Sequence, residues 1–369
     1  MTDQQYMQRA LALATEATAQ ASPNPQVGCV IVRNEKIIGE GAHLYANKHH
    51  AEVVALQQAG SQAKGATAYV TLEPCNHQGR TGPCTEALIE VGIKKVVIAT
   101  PDPNPLVCRK GIARLREAGI QVTTGVSKKE ARTLNNAFAK FIRTGLPFVT
   151  LKAAVSIDSK ISPPLTDRAE QKPFWLTSKQ SREDVQHLRH QQDAILTGIG
   201  TILADNPHLT DRTNLPRRRP LLRVVLDSHL RIPLDSHLVT TAQDDLLILH
   251  APTAQEEKIQ ALADLNIQTA PIAHNLTAVL TLLAEKQITS LLIEAGSQLN
   301  QSAIEENIVD QYVFYYANTE LGPSALPFSV GGQTPYLLEQ SLTEISRTEI
   351  GPKENPDIKL TGLTRNPWL

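Results

Sequence analysis

Cysteine is scarce in this chain: four in 369 residues, at positions 29, 75, 84 and 108. In a reducing, cytoplasmic setting, cysteine pairs more often hold metal or perform chemistry. The opening stretch MTDQQYMQRALALATEA reads as an amphipathic helix and not as a signal peptide, which agrees with that setting. A surplus of charge is missing too, since 36 Lys and Arg meet 37 Asp and Glu for a net charge of −1. A dedicated nucleic-acid binder usually carries a basic excess or stripe, so the balance argues against that class. The one basic cluster, Arg217, Arg218 and Arg219, lies between Pro216 and Pro220 and reads as a solvated loop. No apolar run approaches the roughly 18 residues of a membrane span. What remains, 41% hydrophobic and 20% charged, is a soluble globular composition at a length suited to two domains.

The two halves differ in grammar. Up to residue 145, strand-like and helix-like stretches alternate, which is α/β arithmetic. A helix near 4–20 precedes a strand at VGCVIVR (27–33), which turns through NEK into IIGEGAH. Helices at 50–58, 85–91 and GIARLREAG then intersperse with strands ATAYVTLE, KKVVIAT and IQVTTGV. Gly145–Pro147 marks the expected boundary, giving domains 1–145 and 146–369. In the second half FVTLKAAVS, DAILTG, LRVVLD, DLLILH, SLLIEAG and QYVFYYA read as strands. Helices fall between them near 178–190, 254–264, 276–286 and 297–306.

Chemistry concentrates in PCNHQGRTGPC, residues 74–84, where two of the four cysteines bracket a polar loop. Upstream lies HHAEVV, in which His50 and Glu52 form H-x-E at a helix start. A hydrolytic zinc site needs three protein ligands and an open position, and His50, Cys75 and Cys84 supply three. Cys84 is expected to open the helix CTEALIEV, where free N–H groups favour a thiolate. Glu52 is expected as a proton shuttle and not as a ligand. H-x-E alone is a chance tripeptide, and His77 would make a closed Cys2His2 structural site conceivable. The ordered set of H-x-E, strand, P-C and a second cysteine opening a helix is the zinc deaminase signature, with a longer loop between the cysteines. Cys29, in the apolar run VGCVIV, reads as a small core residue, and Cys108 carries no signal. In the second half TGIGT follows a strand and sets Gly198, Gly200 and Thr201 at a helix start suited to phosphate. It is not a dinucleotide fingerprint, because Leu203 stands at the third glycine position.

SPNPQVGCVIV, HAEVVAL, AYVTLEPCNHQGRTGPC and DPNP together resemble the bifunctional riboflavin-biosynthesis family that fuses a diaminohydroxyphosphoribosylaminopyrimidine deaminase to a 5-amino-6-(5-phosphoribosylamino)uracil reductase. The resemblance runs on through LKAAVSIDSK, DAILTGIGTILADNPHLTDR and LLIEAGSQLN. It implies an α/β chain with a cytidine-deaminase-like three-layer domain followed by a dihydrofolate-reductase-like domain. It implies zinc on His50, Cys75 and Cys84, with Glu52 catalytic. Asn24, His43, His77, Arg80, Asp102 and Asn104 then line the deaminase pocket. It further implies NADPH on Ala154, Trp175, Thr201, Asp205, Ser228 and the turn at Gly296. Substrate falls to Arg189, Leu209, Arg212 and Glu294, with Lys152 beside the reacting ribose. Lys152 and Glu294 are expected to handle the protons of ring opening. A cytoplasmic homo-oligomer, dimer or tetramer, acting on small phosphoribosyl pyrimidines without nucleic acid or membrane, is the corresponding expectation.

Two positions depart from the family pattern: Ser159 follows Asp158 where glycine is common, and Pro173 precedes Phe174-Trp175 where a small polar residue is usual. The loop 162–174 is therefore atypical. The rival reading is a tRNA or DNA base deaminase, which shares the zinc signature but has little use for a reductase-like second half.

Overall fold

The computed structural model describes residues 1–78, 82–167, 174–273 and 275–369. They form two compact units. The first comprises Met1–Gly145 with Pro216–Arg219 and Pro367–Leu369, and the second comprises Leu146–Leu215 with Pro220–Asn366.

In the first unit α1 (Asp3–Glu16) precedes β1 (Gly28–Arg33), β2 (Lys36–Ala42), α2 (Ala51–Ala59), β3 (Thr67–Val70) and α3 (Cys84–Val91). There follow β4 (Lys95–Ile98), α4 (Lys110–Glu117), β5 (Gln121–Thr124), α5 (Lys128–Leu134) and α6 (Asn136–Thr144). Thr2 starts α1 with a reciprocal cap to Gln5, which satisfies N–H groups the first turn leaves free. The sheet order is β2-β1-β3-β4-β5, with β1 antiparallel to both neighbours and β3, β4 and β5 parallel. The unbroken apolar run of β1 has a simple cause, because both sheet faces are covered. Cys29 and Ile31 enter a core with Ala51, Ala55, Leu88 and Leu115 of α2, α3 and α4. Val30 and Val32 enter another with Met7 and Ala10 of α1. The result is the expected three-layer sandwich, and Cys29 is indeed a fully buried core residue.

The second unit contains β6 (Phe148–Ser156), β7 (Lys160–Ser162), α7 (Lys179–His190), β8 (Ala194–Gly198), α8 (Ile199–Asp205) and β9 (Leu222–Leu226). Next come α9 (His237–Thr240), β10 (Leu246–His250), α10 (Glu256–Ala263), β11 (Gln268–Pro271), α11 (Leu276–Glu285) and β12 (Ser290–Ile293). The unit closes with α12 (Ser297–Glu305), β13 (Gln311–Ala317), β14 (Leu326–Pro327), α13 (Pro335–Glu339), β15 (Thr343–Ile350) and β16 (Asp357–Leu363). The large sheet is ordered β11-β10-β9-β8-β12-β6-β13-β16-β15. It is parallel from β11 to β13, and β16 and β15 add an antiparallel edge. Alternation sends Val149, Leu151, Ala153 and Val155 of β6 to the core of α11 and α12. Ala154 goes to the opposite face, packed with residues of α7 to α10. Lys152 shares that face by parity.

Several elements carry no sequence signal, among them α5, α6, β7, α9, β11, β14, α13, β15 and β16. β15 is exposed along almost its whole length, so it shows no apolar alternation. The Arg217–Arg219 reading needs correction, since all three are half-buried. The Arg218 guanidinium lies 4.0 Å over the Tyr45 ring, and its backbone N–H donates to Ala19 O at 2.9 Å. Ser159 adopts φ +61 in the turn after β6, a conformation that glycine reaches without strain and that accounts for glycine being common there. Pro173 lies outside the described residues.

Candidate active sites

Three elements deliver the candidate metal ligands of the first unit. His50 is the N-cap of α2, Cys84 is the first residue of α3, and Cys75 lies in the loop after β3. Their ligand atoms all fall within 4.8 Å of one another. His50 Nδ1 is 3.2 Å from Cys84 Sγ and 3.5 Å from Cys75 Sγ. A tetrahedral zinc site with its usual bond lengths has an S···N edge of about 3.5 Å, so the set fits that ion. The Cys84 thiol and the His50 ring pull the Cys75 thiol well down, whereas Cys84, facing it, is pushed up. A divalent cation favours both thiolates. His77 is exposed and stands outside the group, which removes the closed Cys2His2 alternative.

Glu52 sits in the first turn of α2 with 3% of its surface exposed. Burial, reinforced by the Cys75 thiolate, raises its carboxyl to about 7. α2 can lie this close to the sheet only because β2 offers glycine: a Cβ on Gly41 would stand 2.3 Å from Ala51 O.

The structure brings several expected pocket residues together. Asn24 Nδ2 donates to His43 Nε2 at 3.0 Å, and His43 Nδ1 donates to His49 O at 3.3 Å. Burial lowers His43, so the ring is neutral with its tautomer set by these bonds. Its ring meets that of His50 edge-on at 5.2 Å. Asp102 is raised to about 6 by burial, partly opposed by the Asn104 N–H at 2.8 Å. The Asn104 side-chain oxygen is already used within its own loop by Leu106 N–H at 3.0 Å. Arg80 lies outside the described residues. Sequence reasoning missed Glu73, a carboxylate 5% exposed that accepts four backbone N–H bonds from the loop after β4 and the start of α4. A charged residue closing an apolar strand was the available signal, because burial there demands partners.

In the second unit the parallel strands direct their carboxyl ends to one edge. There lie Gly198 at the N-cap of α8, Thr201 in its first turn, Ser228 just past β9, Glu294 just past β12, and Gly296 at the N-cap of α12, while Asp205 is the last residue of α8. Ligands of open parallel sheets bind at this edge. Register pairs Ile293 with Leu151, which sets Glu294 beside Lys152, and their charged atoms are 3.5 Å apart. Arg189 of α7 holds Glu294 through both carboxylate oxygens, at 2.7 and 3.0 Å, and also donates to Thr210 O at 3.1 Å. Burial works to raise the Glu294 carboxyl, but Arg189 and Lys152 override it and hold it at about 2. A carboxylate so held stays ionised through the neutral range. Leu209 is buried at φ +52, and Arg212 is exposed with its N–H 3.3 Å from Gln186 Oε1. Trp175 is 59% exposed, with the Arg182 guanidinium 5.0 Å from its ring. Ala154 is half-buried on β6.

These features define a zinc-site deaminase unit joined in one chain to an α/β reductase unit. Residues 1–100 match the family of the cytidine and deoxycytidylate deaminase zinc-binding region, and residues 147–351 match the RibD C-terminal domain. The riboflavin biosynthesis protein RibD of Bacillus amyloliquefaciens is 40% identical, over 99% of this chain and 97% of its own. That of Actinobacillus pleuropneumoniae is 42% identical, over 95% of this chain and 93% of its own. The solved RibD of Acinetobacter baumannii superposes with a TM-score of 0.82 at 39% identity, covering 98% of both chains. The chain belongs to the RibD family, the bifunctional deaminase–reductases of riboflavin biosynthesis. The tRNA or DNA base deaminase reading finds no support in these likenesses.

Proposed function

We propose that the first unit converts 2,5-diamino-6-(5-phosphoribosylamino)pyrimidin-4(3H)-one to 5-amino-6-(5-phosphoribosylamino)uracil. The second unit then reduces the ribosyl group of that product to ribityl phosphate with NADPH. The observation that carries the reading is the three-ligand group with a buried glutamate two residues from its histidine. Zinc on His50, Cys75 and Cys84 would supply hydroxide near neutral pH. Glu52, with its carboxyl near 7, takes a proton from the attacking water and returns it to the leaving amino nitrogen. Carbon gains oxygen, the C–N bond breaks, and ammonia departs. Asn24, His43, His77, Arg80, Asp102 and Asn104 hold the pyrimidine and its phosphoribosyl tail, with Asp102 accepting from the ring edge.

NADPH, held by Ala154, Trp175, Thr201, Asp205, Ser228 and Gly296, would supply the hydride. Lys152 gives a proton to the ribosyl ring oxygen as the ring opens. Glu294 fixes Lys152 and Arg189 in place, and Arg189, Leu209 and Arg212 seat the substrate. Membership of a family that acts on small molecules supports small phosphoribosyl pyrimidines as the partners. The proposal includes a cytoplasmic homo-oligomer, dimer or tetramer.

Ammonia release from the diamino substrate, measured with and without NADPH, tests the reading. The first reaction should proceed without the nucleotide, and NADPH should be consumed only once the uracil is present. Glu52→Gln should keep zinc and lose roughly 10²–10⁴-fold of ammonia release. Wild-type release by that variant would remove Glu52 from the mechanism.

A further inference from the structure

Glu73 ends the run AYVTLE and is followed by Pro74 and Cys75. A side chain with two carboxyl oxygens and 5% exposure needs hydrogen-bond partners for both. It has them. Oε2 accepts from Asp102 N–H at 3.1 Å and Arg109 N–H at 2.9 Å. Oε1 accepts from Gly111 N–H at 2.9 Å and Ile112 N–H at 3.1 Å. The last two belong to the first turn of α4, where unpaired N–H groups and the helix dipole favour an anion.

Convergence of four N–H groups on one side chain requires a particular backbone. Arg109 is held at φ +64, in the left-handed region. Gly111 lies so close to the metal loop that a Cβ would stand 2.1 Å from Pro74 O. One carboxylate therefore ties together two stretches far apart in sequence. One leads into the metal ligand Cys75, and the other carries Asp102, whose own oxygen takes the Asn104 N–H at 2.8 Å.

We propose that Glu73 is a positioning residue of deamination: it sets Asp102 and Asn104 at a fixed place relative to Cys75, so that the pyrimidine edge is presented to the metal centre in register. The proposal rests on the reading of Asp102 as a substrate contact. A helix cap of purely structural value predicts lost stability alone. A positioning role predicts lost recognition with the metal site intact.

The test uses the full chain. In Glu73→Gln the amide nitrogen faces backbone donors, so half of the acceptor set is gone. Misplacement of a binding group by about 1 Å costs roughly 10²-fold in kcat/KM, and that loss is expected mainly in the KM for the diamino substrate. Zinc content and NADPH turnover of the deaminated uracil should stay at wild-type values. Asp102→Asn should raise the same KM, and the double variant should be no worse than the worse single one. A wild-type KM in Glu73→Gln, with Asp102→Asn impaired, overturns the positioning role and leaves Asp102 as a substrate contact. Losses that multiply in the double variant overturn it as well. A wild-type KM in Asp102→Asn removes the substrate contact itself and the proposal with it. Should Glu73→Gln fail to fold, Gly111→Ala pushes α4 from Pro74 without changing a charge. It should raise the same KM, and a wild-type value there counts against the proposal.

Discussion

Glu52 and Glu294 are the same residue type under opposite orders. Glu52 is buried with a thiolate for company, and its carboxyl rises to about 7. Glu294 is buried between two cations and drops to about 2. Environments that push two carboxyls apart suit them to different tasks, and the proposed roles follow that division: proton transfer for Glu52 and fixed charge for Glu294. The second case has a stability consequence. Its folded value lies below the ordinary 4.5, so the stabilisation is present above about pH 4.5 and is lost as pH falls through about 2. A depression of this size corresponds to about 3 kcal/mol. Glu294→Gln should therefore weaken the second unit by about that amount at neutral pH, because Arg189 and Lys152 are left without their anion. Urea unfolding at stepped pH should show the gap to wild type narrowing below pH 4.5. A gap independent of pH would mean the ion pair contributes nothing.

Among elements, α2 decides the metal site, because its N-cap is His50 and its first turn carries Glu52. Its depth against the sheet depends on Gly41, where a Cβ would meet the Ala51 carbonyl at 2.3 Å. Gly41→Ala should displace the start of α2, costing about 1–3 kcal/mol in overpacking, with reduced zinc retention and slower deamination. Full zinc content at wild-type stability would show that the helix yields elsewhere. The elements that hold the sites were legible because strands buried on both faces read as unbroken apolar runs, as β1, β8, β10 and β12 do. The grouping of His50, Cys75 and Cys84 was legible because their residue types and order are chemically restrictive. The β15 and β16 edge was not, since β15 has no buried face to impose a pattern. The α5–α6 stretch breaks at Asn135, whose side chain bonds both backbone groups of Gln26, at 2.8 and 2.9 Å. A partner so distant leaves no periodic trace, and the same holds for Glu73, whose partners begin 29 residues on.

At the scale of the molecule, the first unit is not one continuous stretch of chain. Trp368 is 7% exposed in the core that also holds Leu88, Leu115 and Ala139. Its indole N–H donates to Asn136 Oδ1 at 2.9 Å, and the Arg132 guanidinium lies 4.9 Å from its ring. Trp368→Ala should cost the first unit about 3–5 kcal/mol. Deamination should fail at a lower temperature while uracil reduction keeps its own thermal limit. Equal loss of both activities on heating would contradict this assignment. The same tryptophan also has a meaning in time. Chains leave the ribosome at roughly 5–20 residues per second, so residue 368 follows residue 145 by roughly 10–45 s. During that interval the first-made domain waits with a gap in its core, and a nascent chain stalled before Trp368 should be cut by protease within its own first 145 residues.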